Sequence, residues 1–151
     1  MLDQQDRVTP IYRWANENDL TQIVDLLMVV RGDRQDITAN QFLIASLEDL
    51  VIGCVRVKNL TDGTQELASL CVQPKYRNLG VGEQLVKSIL NYSNKRPIYL
   101  LCFDKLIMFY KKFGFVQVDP NLLPDCLSNE CKRVCGSFAP QDDRVVALQL
   151  L

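Results

Sequence analysis

The chain has 151 residues, of which 48% are hydrophobic and 23% charged, a composition typical of one compact domain rather than of a disordered or fibrous chain. Its 17 basic and 18 acidic residues give a formal net charge of −1. Nucleic acid is not expected as a partner, because phosphate-backbone binding usually needs an excess of positive charge. The absence of histidine excludes Ser-His-Asp and Cys-His catalysis, histidine-ligated zinc and imidazole base chemistry.

The amino-terminal residues and the cysteines indicate the compartment. Residues 1–10 include charged side chains and no apolar core of a signal peptide, and no segment approaches the roughly 18 apolar residues of a membrane span. We therefore expect a cytoplasmic protein without membrane contact, in which the six cysteines are reduced thiols. Cys126, Cys131 and Cys135 lack the CxxC spacing and the neighbouring histidine of a zinc site. No metal is expected there, and the role of these cysteines stays open.

The first half of the chain predicts a strand, a helix and then three strands. Residues 11–14 alternate like a short strand. Positions 20–28 follow a helical period, with Asp19 and Gln22 placed as a capping box and residues 31–33 as the stop. Three segments rich in Ile, Val and Leu then predict antiparallel strands joined by turns at 48–49 and 59–64, namely residues 41–46, 50–58 and 65–72.

The second half of the chain predicts further helices and strands. An apolar stripe from Gly80 to about Asn91 predicts a helix. The other elements predicted here are a strand at 97–103, a helix at 104–112 capped by Gly114, and strands at 115–118 and 144–150. The long stretch between the last two strands is expected to be irregular, since it contains Pro120, Pro124, Gly136 and Pro140. No repeat or linker interrupts the pattern, so one domain over residues 1–151 is expected.

The turn that joins the 65–72 strand to the next helix is the most informative segment. Gly80 and Gly82 carry no side chain that would hold a ligand away from the backbone. The first N–H groups of a helix have no acceptor in the helix and carry the positive end of its dipole, which suits a pyrophosphate. The alternative is an ordinary strand-to-helix loop. The segment lacks the full GxGxxG of a dinucleotide fold and the Gly-Lys-Ser/Thr of a Walker loop, so neither NAD nor ATP is favoured.

Two separated motifs resemble one known family. Arg77-x-x-Gly80-x-Gly82, after a Val-x-Pro strand end, resembles the acetyl-CoA signature of the GNAT superfamily of acyl-CoA N-acyltransferases. Phe109-Tyr110-Lys-Lys-Phe-Gly114-Phe115 resembles its second signature, and the order of predicted elements agrees over nearly the whole chain. The resemblance implies an α/β fold with a central, mostly antiparallel sheet of about six to seven strands, flanked by helices and splayed around the CoA site.

The resemblance also implies which residues contact acetyl-CoA, the expected co-substrate. They are Leu70, Cys71 and Val72 on the strand, and Arg77, Asn78, Leu79, Gly80, Val81 and Gly82 in the turn and helix start. Asn78 replaces the glycine that is common after the arginine. Phe103 stands where many members have an asparagine. No metal is implied.

Two side chains resemble catalytic groups of the family. Glu66 resembles the base of some members, which is needed because an alkylammonium has a pKa near ~10 and must lose a proton before it attacks the thioester. Tyr110 matches the tyrosine that protonates the departing CoA thiolate, and a backbone N–H near residues 70–72 is implied to stabilise the oxyanion. The alternatives are an exposed carboxylate for Glu66 and a packed aromatic for Tyr110. No histidine activates Cys71 or Cys102, so direct attack in a ternary complex is favoured over an acyl-cysteine route.

The expected acceptor is a primary amine of a small molecule. It would approach along residues 31–36 and 119–143, and the second segment has five carboxylates against two cations, a balance of −3. That balance permits a cationic amine, but it is also typical of a solvated loop. Residues 114–124 resemble the same region of bacterial N-acetylglutamate synthases, which implies an amino acid. A second hypothesis is a CoA-binding regulatory or interaction module with little turnover, and a homodimer is one option for the assembly.

Overall fold

The computed structural model describes residues 9–30, 34–137 and 144–151. Residues 1–8 and the predicted helix stop at 31–33 lie outside this range, as do Pro140, Asp142 and Asp143. The helices are α1 (Leu20–Val30), α2 (Val81–Tyr92), α3 (Ile107–Lys111) and α4 (Asp125–Ser137). The strands are β1 (Ile11–Trp14), β2 (Phe42–Leu47), β3 (Leu50–Asn59), β4 (Gln65–Val72), β5 (Ile98–Phe103), β6 (Val116–Val118) and β7 (Val145–Leu150).

The strands form a seven-stranded sheet in the order β1-β2-β3-β4-β5-β7-β6. β1 with β2, β2 with β3, β5 with β7 and β6 with β7 pair antiparallel, whereas β4 and β5 run parallel. This mixed sheet with its helices confirms the predicted α/β fold. No helix in the described part of the chain is long and apolar enough to cross a membrane. By internal contacts the chain divides into two compact units, residues 1–56 with 69–92 (unit 1) and residues 57–68 with 93–151 (unit 2).

Unit 1 contains the two predicted amphipathic helices, α1 and α2. Ile23 and Leu27 of α1 are fully buried, as the helical period predicts, whereas Met28, the last position of the predicted apolar pattern, is exposed. They belong to an apolar cluster with Leu26 of the same helix and with residues of β2, β3 and β4, namely Phe42, Ile44, Val51, Cys54 and Cys71. The apolar stripe of α2 is also confirmed, because Val81, Leu85, Val86 and Ile89 are buried.

The predicted capping box of Asp19 with Gln22 is wrong. A 3₁₀ turn at Glu17–Asp19 precedes α1, and this moves the cap back to Asn16. The Asn16 side chain accepts a hydrogen bond from the Asn18 N–H at 2.9 Å, and the Asp19 carboxylate accepts one from the Asn16 N–H at 2.8 Å. Gln22 instead ties α1 to the β2–β3 hairpin, since its side chain bonds the backbone of residues 49 and 51.

Unit 2 contains a helix that the sequence pattern did not predict. Residues 125–137 form α4, so the expectation of an irregular stretch between β6 and β7 is wrong there. Pro120 opens a 3₁₀ turn, and the carbonyl of Pro124 accepts a bond from Ser128 N–H in the first turn of α4. The two prolines therefore precede a helix rather than prevent one. Leu127 of α4 is fully buried in a cluster with Val118, Leu123 and Ala147, against which Leu60, Tyr99, Leu101 and Cys131 pack.

Gly53 allows β3 and α2 to approach closely. A Cβ at this position would lie 3.0 Å from Leu85 Cδ1 and 3.1 Å from the Cys71 carbonyl oxygen. We expect Gly53→Ala to lower the free energy of unfolding by about 1–3 kcal/mol, because an overpacked site forces its neighbours to move. Urea denaturation measures the change. An unaltered midpoint would show that α2 moves away from β3 without cost.

Candidate functional site

The turn between β4 and α2 has the backbone of an anion-binding helix start. Asn78 and Gly80 have φ of +63° and +84°, both in the left-handed region. The carbonyl of Gly80 accepts a bond from Gln84 N–H at 3.0 Å, so α2 begins directly after Gly80. The first N–H groups of α2, at Val81 and Gly82, therefore have no acceptor within the helix. The turn suits a phosphate, as the sequence predicts.

The surroundings of the turn leave room for a ligand. A Cβ built on Gly80 would meet no atom within 4 Å, and Leu79 is 70% exposed. Arg77 has a second role in this turn, because its Nε donates to the Val72 carbonyl at 3.1 Å and ties the turn to the end of β4. The left-handed φ of Asn78 explains its replacement of a glycine, since asparagine is the non-glycine residue that tolerates this region best.

A β-bulge at Ser69 reorients β4 before the turn. Ser69 has φ +59°. At the start of the hairpin, the Leu60 N–H donates to the Thr64 carbonyl, and an uninterrupted ladder from that pair would place Val72 opposite Ile52. The donor to the Ile52 carbonyl is instead the Gln73 N–H, one residue further along the chain. One extra residue therefore lies in β4. The bulge directly precedes residues 70–72, whose backbone the family resemblance assigns to the oxyanion.

A fully buried arginine holds this bulge. The side chain of Arg56 on β3 is 0% exposed, and its Nε donates to Ser69 Oγ at 2.9 Å. Its Nη1 donates to Gln41 Oε1 at 3.1 Å, and the guanidinium lies 5.3 Å from the centre of the Phe42 ring. These contacts fix the hydroxyl of Ser69 and, through it, the bend of β4.

Glu66 lies in unit 2, near the start of β4, and is buried. Glu66 is only 4% exposed to solvent, so the alternative of an exposed carboxylate is wrong. Glu66 Oε1 lies 3.7 Å from Lys58 Nζ, an ion pair across the β3–β4 hairpin. Lys58 Nζ also lies 3.2 Å from Glu130 on α4, and Glu130 accepts a hydrogen bond from Arg133 at 2.8 Å. A buried carboxylate beside an ammonium is able to stay charged.

Tyr110 lies in an aromatic cluster of unit 2. It is 7% exposed, and its ring contacts Phe109 edge-on at 5.0 Å and Phe115 at 6.0 Å between centroids. Burial, with a smaller contribution from nearby Cys102, raises the pKa of the phenol well above its usual value. Tyr110 thus packs as an aromatic core residue, which is the alternative that the sequence left open. Its hydroxyl keeps its proton in neutral and mildly alkaline solution.

The cysteines near these groups are poor nucleophiles. Burial, followed by the charge of Asp104, raises the pKa of Cys102 to about 12. Cys71 Sγ lies 3.5 Å from Cys54 Sγ, and a hydrogen bond between the two thiols together with burial raises the pKa of Cys54. No group of three or more potential metal ligands occurs among the residues that the structure describes. Protonated thiols favour direct transfer over an acyl-cysteine intermediate.

The predicted site residues thus fall into three clusters. Residues 70–72 and 77–82 lie together in unit 1, whereas Glu66 and Tyr110 lie in unit 2 in different side-chain clusters. The sequence reading missed the groups around Glu66 and Ser69, namely Arg56, Lys58, Glu130 and Arg133. Lys58 could have been found, because a turn centred near residue 62 places it opposite Glu66. Glu130 and Arg133 could not, since α4 itself was not predicted.

Comparison with known proteins establishes the family. Residues 38–117, just over half of the chain, match the model of the acetyltransferase (GNAT) domain. The chain belongs to the GNAT acetyltransferase family. The match contains the turn between β4 and α2 and both motifs through Phe115, and it ends before α4. The GNAT assignment therefore rests on the same residues that carried the resemblance.

Relatives of this GNAT chain include proteins with amino-acid substrates in their names. An uncharacterised N-acetyltransferase of Chlorobaculum tepidum is 26% identical over 60% of the chain and 59% of its own length. An amino-acid acetyltransferase of Shewanella oneidensis is 30% identical over 74% of the chain and 28% of its own length. The chain thus spans little more than half of the first protein and under a third of the second.

Solved GNAT structures share the fold. N-acetylglutamate synthase from Neisseria gonorrhoeae, complexed with coenzyme A and N-acetyl-glutamate, superposes with a TM-score of 0.73 at 19% identity. The superposition covers 94% of this chain and 35% of the synthase. At this identity the likeness establishes the architecture.

Proposed function

We propose that this chain is an N-acetyltransferase that moves an acetyl group from acetyl-CoA to the primary amine of a small molecule, by direct attack in a ternary complex. The observation that carries the proposal is the open, left-handed turn at Asn78 and Gly80 that leads into α2 inside the matched GNAT segment. Relatives named acetyltransferases and a fold neighbour that binds coenzyme A support it. The expectation of one acetyltransferase domain over residues 1–151 stays a prediction.

Acetyl-CoA is proposed to bind through backbone atoms. The N–H groups of Val81 and Gly82 would donate to the pyrophosphate, with Asn78 and Leu79 contributing the turn and Arg77 holding it against β4. On β4, residues 70–72 would contact the pantetheine arm and thioester. Such a site needs no charged side chain on the phosphates, in agreement with the tethering of Arg77 to Val72.

Glu66 is proposed as the base. The ammonium of the acceptor gives its proton to the Glu66 carboxylate, directly or through water, and the neutral nitrogen then forms a bond to the thioester carbon. A backbone N–H of residues 70–72 donates to the oxyanion. The carbon–sulfur bond breaks as the intermediate collapses, Tyr110 gives its proton to the departing thiolate, and the second proton on the attacking nitrogen leaves to solvent to give the neutral amide.

An amino acid is the proposed acceptor class. Relatives are named amino-acid acetyltransferases, and a fold neighbour holds N-acetyl-glutamate. The excess of carboxylates in residues 119–143 is weaker support for a cationic acceptor than their number suggests. Asp119 caps a 3₁₀ turn and Glu130 is paired with Lys58 and Arg133, so these carboxylates are already engaged.

Thiol release from acetyl-CoA over a panel of amines and amino acids tests the proposal. We expect acceptor-dependent release with at least one amino acid. Binding of CoA without release above the background rate would instead identify a CoA-binding regulatory module. The same experiment identifies the acceptor.

Substitution of Glu66 tests its role as base. We expect Glu66→Gln to lower the turnover number by about a hundredfold or more. The base must be ionised, so the wild-type rate falls as the pH drops through the pKa of Glu66, and this acidic limb should vanish in the variant. Glu17→Gln, which changes an exposed carboxylate on unit 1, is the control. Retention of both rate and acidic limb by Glu66→Gln would assign the residue a structural role.

A further inference from the structure

Unit 2 contains a compact charge cluster that links β3, β4 and α4. Two cations, Lys58 and Arg133, alternate with two carboxylates, Glu66 and Glu130. The side chains of Lys58 and Glu66 are 9% and 5% exposed, whereas those of Glu130 and Arg133 are 19% and 27% exposed. The cluster therefore has a buried end at Glu66 and a more open end on α4.

Lys58 supplies the charge that the buried end requires. An isolated ionised carboxylate in an apolar environment becomes protonated, because burial penalises its charged form. The ammonium of Lys58 is 3.7 Å from Glu66 Oε1, which is beyond hydrogen-bond length. At that distance Lys58 stabilises the negative charge without a direct bond to this oxygen, which would otherwise compete with an incoming proton.

Glu130 competes for the same ammonium. Its carboxylate is nearer to Lys58, at 3.2 Å, and it also accepts a bond from Arg133. Burial raises the pKa of Glu130, but the bond from Arg133 and the charge of Lys58 outweigh this, so its pKa lies below the usual value. Glu130 thus stays charged at neutral pH, and its negative charge offsets part of the stabilisation that Lys58 gives to the Glu66 carboxylate. It lies on α4, beyond the residues matched to the family.

We propose that Lys58 is a positioning residue that keeps the buried Glu66 carboxylate charged and ready to accept a proton, and that Glu130 of α4 moderates it. The inference rests on the proposed role of Glu66 as base. On this inference α4, which lies outside the residues matched to the GNAT domain, helps to set the pH above which Glu66 is ionised and able to act as the base. Titratable groups near this cluster in the described part of the chain include Tyr99, the register partner of Glu66 on β5, and Arg133, which pairs with Glu130.

Carbon-13 NMR titration of the glutamate side chains tests the inference without any need for turnover. The Glu66 signal is assigned by its loss in Glu66→Gln. In Lys58→Met we expect Glu66 to titrate about one pH unit or more higher than in the wild type, since an opposite charge within about 4–6 Å is removed. In Glu130→Gln we expect Glu66 to titrate at lower pH, because a negative neighbour is lost and Lys58 no longer pairs with a second carboxylate at position 130.

The opposite signs of these two shifts separate the inference from a general loss of structure. Glu130→Gln, at the more open end, provides the test if Lys58→Met does not fold. Lys58→Arg should restore most of the wild-type titration, and Lys87→Met, which removes an exposed pair with Glu83, should leave it unchanged. A Glu66 signal that is unmoved in folded Lys58→Met, or that moves upward in Glu130→Gln, overturns the inference.

The pH profile of acetyl transfer then connects the cluster to catalysis. In Lys58→Met the acidic limb of the turnover number should move upward with the NMR titration, while the KM for acetyl-CoA stays near that of the wild type. If the NMR shifts are observed but the wild type shows no acceptor-dependent thiol release, the proposed function is refuted and the effect of Lys58 on Glu66 stands. Release in the wild type without NMR shifts would refute the inference and leave the function in place.

Discussion

Replacement of Gly82 by valine is expected to weaken CoA binding by about a hundredfold or more and to leave the protein folded. The Cα–Cβ bond of a helical residue tilts toward the helix N-terminus, so the valine methyl groups would occupy the space in front of the first N–H groups of α2. Two or more charge-assisted hydrogen bonds to the pyrophosphate would be lost, each contributing about 1.5–3 kcal/mol. Valine also favours a helix more than glycine does, so unfolding is not the expected cause.

Isothermal titration calorimetry with CoA measures this effect, and circular dichroism checks the fold. Asn91→Val is the matched control, because Asn91 is an exposed position at the other end of α2 and the same side chain is introduced. The control should bind CoA like the wild type. Unchanged affinity in Gly82→Val would place the pyrophosphate elsewhere.

Removal of the Tyr110 hydroxyl is expected to lower the turnover number by about 10²–10⁴-fold with little change in acetyl-CoA affinity. The ring of Tyr110 packs between Phe109 and Phe115, and phenylalanine keeps that packing. Burial raises the pKa of the phenol, so the hydroxyl still holds its proton at neutral pH when the CoA thiolate departs. Tyr110→Phe therefore removes the acid and keeps the aromatic cluster.

Steady-state kinetics and calorimetry together test this result. Tyr12→Phe on β1 is the control, because it removes a half-buried phenol in unit 1. The thermal midpoints of both variants should lie near that of the wild type. Wild-type turnover in Tyr110→Phe would show that Tyr110 is a core residue and that the thiolate takes its proton from water.

Local patterns predicted those parts of the protein in which one segment determines the outcome. The buried stripe of α2 follows directly from the helical spacing at Val81, Leu85 and Ile89, and the left-handed φ of Gly114 agrees with its prediction as a helix C-terminal cap. The turn between β4 and α2 is local in the same sense.

The cap of α1 and the features that depend on distant partners were not predicted. The helix begins at Leu20 as predicted, but its capping box was misplaced because Asn16 and Asp19 cap a 3₁₀ turn that precedes the helix. α4 was missed because its prolines were interpreted as breaks and its buried side, around Leu127, shows only in contact with residues far along the chain. The pair of Lys58 with Glu130 depends on α4, so this part of the charge cluster around Glu66 could not be predicted from the two strands.

The bulge at Ser69 has a consequence for how this sequence is able to vary. Arg56 is fully buried, and its donors go to Ser69 and Gln41 on two other segments. Exchange of Arg56 alone for an apolar residue would leave two half-buried acceptors without this donor, and exchange of Ser69 alone would take an acceptor from a buried charge. Homologous sequences that fold should therefore change positions 41, 56 and 69 together or not at all. A substitution at one of these positions is destabilising unless the other two residues also change.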